Sequence, residues 1–254
     1  MSVKILLCGA CGKMGGNVLS LLESDTDAVA VCGVDLYPRE IGIPVYTSFK
    51  DVKEQADVII DFSSPIGLEE RLAYAKQNGM GIVLASTGFT AADLEMVNRY
   101  AKEIPVFKTA NLSLGVNLMQ ALIKAAAEVL GDAYDVEIVE RHHNLKKDAP
   151  SGTALMLADS VNEVFEGKKK YVNGRDGIVG AREKSEIGIH AVRGGTIVGE
   201  HEVSFCGEDE IITISHSARS KRVFATGAIR AAKFLQGKGA GMYEMKHLLA
   251  EENA

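Results

Sequence analysis

Cysteine is scarce in this chain of 254 residues: only four are present, at positions 8, 11, 32 and 206. They are too few and too unevenly placed to form the disulfide framework of a small secreted protein. Cys8 and Cys11 make a C-x-x-C, but no second ligand pair accompanies them, so neither a redox motif nor a metal site is expected. Uninterrupted apolar runs of the roughly 18 to 20 residues that span a bilayer are missing, and Met1 to Leu7 enters a strand-like run directly. The expectation is a cytoplasmic protein with no membrane partner. Excess positive charge is lacking too: 28 Lys and Arg against 34 Asp and Glu leave a net charge of -6, which argues against a broad nucleic-acid face. What remains is ordinary for a globular protein, with 46% apolar and 24% charged residues. A chain of this length suits one large barrel or two domains, and two is the better expectation.

The first half alternates β-type apolar runs with helix-patterned stretches, as a parallel sheet covered on both faces requires. The runs are Val3 to Cys8, Ala28 to Val34, Asp57 to Phe62, Gly81 to Ala85 and Pro105 to Lys108. Thr90 and Asp93 are spaced to cap a helix between the last two. Beyond Asn111 comes a long apolar helix pattern, Leu114 to Leu130, then a strand-like Tyr134 to Arg141, a polar loop through Pro150 and a second helix from Thr153. Three β-type runs follow without helices between them: Ile187 to Arg193, Val198 to Phe205 and Glu210 to Ser217. They suit an antiparallel or mixed sheet in a separate domain. From Arg222 the pattern is helical again, and the chain closes with a short segment, Met242 to Leu249. The fold class is therefore α/β, a doubly wound parallel sheet of Rossmann type joined to an α+β domain with a mixed open sheet.

Gly9, Gly12 and Gly15 follow the first strand and open a helix pattern, reading Gly-Ala-Cys-Gly-Lys-Met-Gly. Residues without a Cβ let backbone N–H groups and a helix N-terminus approach a diphosphate closely. The same glycines also fit a plain strand-to-helix turn. Asp35, 20 positions after Gly15 at the end of the second strand, is placed to accept hydrogen bonds from an adenosine ribose. Leu36 follows it in place of a basic residue, which tilts the cofactor toward NADH, although Lys13 or Arg39 could meet the 2′-phosphate of NADPH. Phe62-Ser63 and Ser86-Thr87-Gly88 follow the third and fourth strands, where ligands of open α/β sheets lie; each is equally compatible with turn and capping chemistry.

The most distinctive segment runs from Glu137 to Ala154. Within seven positions it places Arg141, His142, His143, Lys146 and Lys147 in a negatively charged chain, which points to an anionic ligand. Ser151, Gly152 and Thr153 stand where a helix begins, so their N–H groups and hydroxyls can hold a carboxylate. Lys146 can neutralise a second anionic group, and a histidine titrating near neutrality suits proton donation to an atom left electron-rich by hydride addition. Singly, the histidines also read as strand-end residues, the lysines as a solvated face and Ser151 as a helix cap.

These segments resemble the 4-hydroxy-tetrahydrodipicolinate reductase (dihydrodipicolinate reductase) family of bacterial and plant lysine biosynthesis. The resemblance rests on Gly-x-x-Gly-x-Met-Gly, Asp61-Phe62-Ser63, Ser86-Thr87-Gly88, Ala110-Asn111 through Asn117, Arg193-Gly194-Gly195, and above all Glu140-x-His142-His143 with Lys146, Asp148 and Pro150 to Ala154. It implies that His142 is the general acid and Lys146 a second catalytic, substrate-orienting residue, with His143, Ser151, Gly152 and Thr153 on the substrate. Cofactor contacts are implied for Gly9, Cys11, Gly12, Lys13, Met14, Gly15, Asp35, Phe62, Ser63, Ser86, Thr87, Gly88, Ala110 and Asn111. The implied reaction is hydride transfer from NADH or NADPH to a small cyclic imine dicarboxylate. The resemblance further implies a homotetramer, with residues 1–112 and 221–254 binding the dinucleotide and residues 113–220 binding substrate and making the tetramer. Another two-domain dehydrogenase of amino-acid metabolism, or a non-catalytic dinucleotide sensor, would share the glycine loop but not the need for His142 and Lys146.

Overall fold

Short apolar runs separated by amphipathic helices give, in the computed structural model, one parallel strand after another. Residues 2–252 are described. The chain begins β1 (Val3–Cys8), α1 (Lys13–Leu22), β2 (Ala28–Val34), β3 (Val45–Tyr46), β4 (Val58–Asp61), α2 (Leu68–Gln77), β5 (Gly81–Leu84), α3 (Ala91–Tyr100) and β6 (Pro105–Lys108). It continues with α4 (Leu114–Leu130), β7 (Asp135–His142), α5 (Gly152–Val164), β8 (Lys170–Asn173), β9 (Glu186–Arg193), β10 (Gly199–Cys206) and β11 (Ile211–Ala218). The end is α6 (Arg222–Leu235), β12 (Gly241–Tyr243) and α7 (Met245–Glu252). Contacts divide these into two compact units, Met1–Ser113 with Lys221–Ala254, and Leu114–Ser220.

In the first unit seven strands lie in the order β12-β6-β5-β4-β1-β2-β3, with every pairing parallel. β4 and β5 are buried along their whole length, as strands covered on both faces must be. Strand order reverses between β1 and β4, the place where open α/β sheets bind ligands. Thr90 and Asp93 form the expected reciprocal cap of α3. α6 returns from the far end of the sequence to cover the sheet, and seven of its residues, among them Ala225, Ile229 and Leu235, are buried.

The second unit has a mixed sheet, β11-β10-β7-β9-β8, in which β7 runs parallel to β9 and antiparallel to β10. Val136 and Ile138 of β7, with Ile187, Ile189, Val203 and Phe205, pack on Met119, Ile123 and Ala127 of α4 and Leu157 and Val161 of α5. Taken with the turn that follows it, α4 is long and apolar enough to cross a membrane by length and composition. In the fold its apolar residues divide: Met119, Ile123 and Ala127 enter the core, while Leu118, Leu122 and Val129 stay exposed.

Three strands depart from the sequence reading. β3 and β8 were not expected, nor was the edge strand β12, Gly241–Tyr243, paired with β6 where only a short closing segment was read. All three are two to four residues long and none is fully buried. They exist because a neighbour offers unpaired backbone groups, not because a local pattern demands them.

Candidate active site

Every residue expected to touch the dinucleotide stands just beyond the carboxyl end of a parallel strand. Gly9 to Gly15 follow β1, Asp35 follows β2, Phe62 and Ser63 follow β4, Ser86 to Gly88 follow β5, and Ala110 and Asn111 follow β6. Gly9 has φ +73°, and a Cβ there would lie 2.9 Å from the Phe62 carbonyl oxygen. At Gly15 a Cβ would meet the Ala10 carbonyl oxygen at 2.3 Å, so α1 packs directly on the turn that precedes it. No side chain caps the N-terminus of α1 and its first turn carries no acid, which leaves its N–H dipoles to an outside anion. A cleft of about 470 Å³, lined by Ala10 to Lys13, Gly16 and Arg39 to Ile41, opens at this turn. The cradle fits a dinucleotide diphosphate.

Asp35 is half-buried and already employed: its carboxylate accepts from Cys11 N–H at 2.9 Å and from Tyr37 N–H at 3.0 Å. A carboxylate offers about four acceptor positions, so capacity remains for ribose hydroxyls. Arg39 N–H donates to Cys11 Sγ at 3.3 Å, and the Arg39 guanidinium donates to the Cys11 carbonyl. Cys11 thus ties the segment after β2 to the glycine turn, a role the sequence did not reveal. Cys8 lies in the core of the sheet, and burial pushes its thiol well above the usual range.

The loop after β4 rests on a pair that sequence reasoning missed. Asp61 is fully buried and forms an ion pair with Arg71, Oδ2 to Nε 2.9 Å; the Arg71 terminal nitrogens donate to the carbonyls of Ile66 (2.9 Å) and Ser64. Asp61 in turn accepts from Ser63 N–H at 3.0 Å and from its hydroxyl. Ser86 Oγ is buried without a partner.

In the second unit, strand alternation decides which basic residues meet. Val136, Ile138, Glu140 and His142 point to the covered face of β7, so Arg141 faces the other way and pairs with Glu202 at 3.9 Å. Arg141 therefore does not join the cluster with His142 that its position in the sequence suggested. Glu140, fully buried, receives four donors: His142 Nδ1–H at 2.6 Å, both terminal nitrogens of Arg193 at 2.8 Å, and Ser151 N–H at 2.9 Å. Burial alone would raise its pKa, but the bonds from Arg193, His142 and Ser151 outweigh it and hold the carboxyl below the usual range. The Ser151 N–H is spent on Glu140 and is not available to a substrate carboxylate.

Ser151 caps α5, its hydroxyl accepting from Ala154 N–H at 3.2 Å and lying 3.1 Å from His201 Nε2. His201 is 5% exposed, and burial with the nearby His142 lowers it to about 4, so it is neutral at ordinary pH. Its ring stands edge-on to His142 with centroids 5.3 Å apart. Lys146 is half-buried, 2.9 Å from Asp148, and its ammonium holds the Asp148 carboxyl below its ordinary value. Lys147 is exposed, and His143 keeps a buried Nδ1 without a partner. Arg193 stood in a run that carried the resemblance, but its bond to Glu140, and that of His201 to Ser151, each more than 49 positions away, were legible only after folding. A cleft of about 500 Å³ beside Asp132, Phe165, Lys168, Lys169 and Lys184 shares no residue with either set. Its least exposed cation, Lys169, is spent on Asp132 at 2.5 Å and the Lys184 carbonyl at 2.6 Å. Among the described residues no group of three or more His, Cys, Asp or Glu is placed to hold a metal ion.

Comparison with known proteins shows the family. Residues 3–112 match the family model of the dihydrodipicolinate reductase N-terminus, and residues 115–249 match that of its C-terminus. The chain belongs to the dihydrodipicolinate reductase family. It is 49% identical to the 4-hydroxy-tetrahydrodipicolinate reductase of Caldanaerobacter subterraneus subsp. tengcongensis over 98% of this chain and 99% of that protein. It is 41% identical to the enzyme of the same name from Clostridium novyi, again over 98% and 99%. A solved structure, the dipicolinate-bound dihydrodipicolinate reductase from Paenisporosarcina sp. TG-14, matches with a TM-score of 0.79 and 25% identity over 96% of this chain and 98% of that one. Membership makes the chain an NAD(P)H-dependent oxidoreductase of the diaminopimelate route to lysine.

Proposed function

We propose that the chain reduces 4-hydroxy-tetrahydrodipicolinate, by way of dihydrodipicolinate, to tetrahydrodipicolinate, with the substrate at His142, His143, Lys146, Ser151, Gly152 and Thr153. The observation that carries this assignment of residues is the buried Glu140 carboxylate, which takes the Nδ1–H of His142 and so leaves Nε2 as the atom that gives up a proton. When bound, NADH or NADPH supplies the hydride for carbon 4 of the conjugated imine. His142 delivers a proton to the neighbouring carbon, and its remaining Nδ1–H stays on Glu140 throughout. Lys146 sets an ammonium beside one substrate carboxylate, and the exposed start of α5 at Gly152 meets another through the helix dipole.

The turn Gly9 to Gly15, with Asp35, Phe62, Ser63, Ser86 to Gly88, Ala110 and Asn111, holds the dinucleotide, and residues 1–112 with 221–254 form the domain that does so. NADH is favoured, because Asp35 accepts ribose hydroxyls and is followed by Leu36, 80% exposed and uncharged. Residues 113–220 bind substrate and assemble a homotetramer. What supports that assembly is the face of the five-stranded sheet that carries neither α4 nor α5, where Val139 and Val192 stand among charged neighbours. Family membership supports a cytoplasmic setting.

Purified protein given aspartate semialdehyde, pyruvate and a synthase that couples them is expected to oxidise NADH. His142→Ala and Lys146→Ala should each lower turnover by about 100-fold or more while cofactor affinity stays within error. Turnover that survives both substitutions would remove these residues from the site.

A further inference from the structure

The carboxylate beneath His142 has two cationic claims on it. Glu140 Oε2 accepts from His142 Nδ1–H at 2.6 Å and from one Arg193 terminal nitrogen at 2.8 Å. Its other oxygen accepts from the second Arg193 nitrogen at 2.8 Å and from Ser151 N–H at 2.9 Å. A carboxylate facing a histidine alone favours the imidazolium strongly; a carboxylate shared with a two-pronged guanidinium is already neutralised and favours it much less. Arg193 does more than this, since it also donates to the carbonyls of Asp148 (2.6 Å) and Val192 (2.8 Å), tying the loop that carries Lys146 to β9.

We propose that Arg193 and Glu140 are a pair of positioning residues acting in opposite senses on His142: Glu140 fixes the ring and stabilises its cation, and Arg193 limits that stabilisation so that the proton can leave. The inference rests on His142 being the general acid. The groups facing His142 are few. Glu140 comes from its own strand and Arg193 from β9, while His201 of β10, with His216 of β11 behind it, and Lys146 of the following loop bring no further negative charge. Asp148, the next carboxylate along the loop, is exposed and held by Lys146. One carboxylate and one guanidinium therefore set the balance.

The consequence is a pair of shifts with opposite signs. A general acid must be protonated, so its state sets the alkaline limb of the turnover profile. Glu140→Gln removes the anion and leaves Arg193 beside the ring, and the alkaline limb of the turnover profile should move down by about one pH unit. Arg193→Gln removes the cation and leaves Glu140 unshared, and the same limb should move up by about one pH unit. Arg193→Lys keeps the charge but loses the two-pronged geometry, and should fall between wild type and Arg193→Gln. Amide exchange in β7 and β10 should keep its protection in all three, which separates the effect from misfolding of the unit that carries them, and NADH affinity, measured by fluorescence titration, should be unchanged. Limbs that stay in place, or move in the same direction in both Gln variants, overturn the pairing while leaving His142 as the acid. A profile with its alkaline limb intact in His142→Ala overturns the assignment of the acid itself, and the pairing with it.

Discussion

The turn after β1 and the end of β7 both place a helix N-terminus beside a strand end, yet they are made in opposite ways. The glycine turn works through atoms that are missing: its backbone closes on itself so tightly that a methyl group at Gly15 would overlap a carbonyl. The His142 cluster works through charge that is present and buried, a carboxylate with four donors around it. The first kind of site is damaged by adding an atom and is nearly indifferent to pH. The second is damaged by removing one and depends on which groups carry protons.

The largest test of that contrast is Gly15→Ala. With the added Cβ 2.3 Å from the Ala10 carbonyl oxygen, NADH affinity should fall by at least about 100-fold. Gly16→Ala, where nothing lies within 4 Å, should leave the melting temperature unchanged or slightly raised. Fluorescence titration and thermal melts read both, and normal NADH binding by Gly15→Ala would break the comparison at its base.

Acid should separate the two units next. Five of the six histidines lie in the second unit, and the remaining one, His247, is exposed. His201 is lowered from 6.5 to about 4. Above pH 6.5 neither the folded nor the unfolded chain protonates it, and its contribution is complete. As pH falls toward 4 the unfolded chain takes up a proton that the folded chain refuses, and about 3 kcal/mol of stability is lost. His216 is lowered by burial in the same sense. Glu137, held at about 2 against its burial by Arg175, Arg182 and His190, adds a loss below its ordinary 4.5 as pH falls toward 2. Amide exchange in β7 and β10 should therefore lose protection between pH 6.5 and 4 while β1 and β4 keep theirs; equal losses would erase the distinction.

The smallest effect belongs to Asp35, the carboxylate placed to meet the adenosine ribose. Asp35→Ala should weaken NADH by about tenfold and NADPH by less, read by titration with each. Equal losses would mean that its carboxylate serves only the Cys11 and Tyr37 amides.

Residue periodicity made the long elements legible. β1, β2 and β7 follow from alternation or continuous apolar runs, and α4 from its repeat, because those patterns record burial directly. Edge strands such as β8 record little, since few of their side chains are buried. The glycine turn could be read because backbone geometry is local. The support of His142 could not: Glu140 lies two residues away, but Arg193 and His201 arrive from β9 and β10, and adjacency in sequence wrongly drew Arg141 toward the cluster. A strict twofold alternation applied to Asp135–His142 would have sent Arg141 to the other face.

α6 carries a consequence for how the molecule is made. A chain emerging from the ribosome completes β1 to β6 first, then all of β7 to β11, and only afterwards the helix that covers β4, β5 and β6. The nucleotide sheet therefore waits, with the part of one face over β4, β5 and β6 uncovered, through the synthesis of more than a hundred further residues, Leu114–Ser220, whose own core can already close. The later-encoded unit is the earlier one able to finish folding, and the vulnerable interval for aggregation belongs to the part of the chain that was translated first.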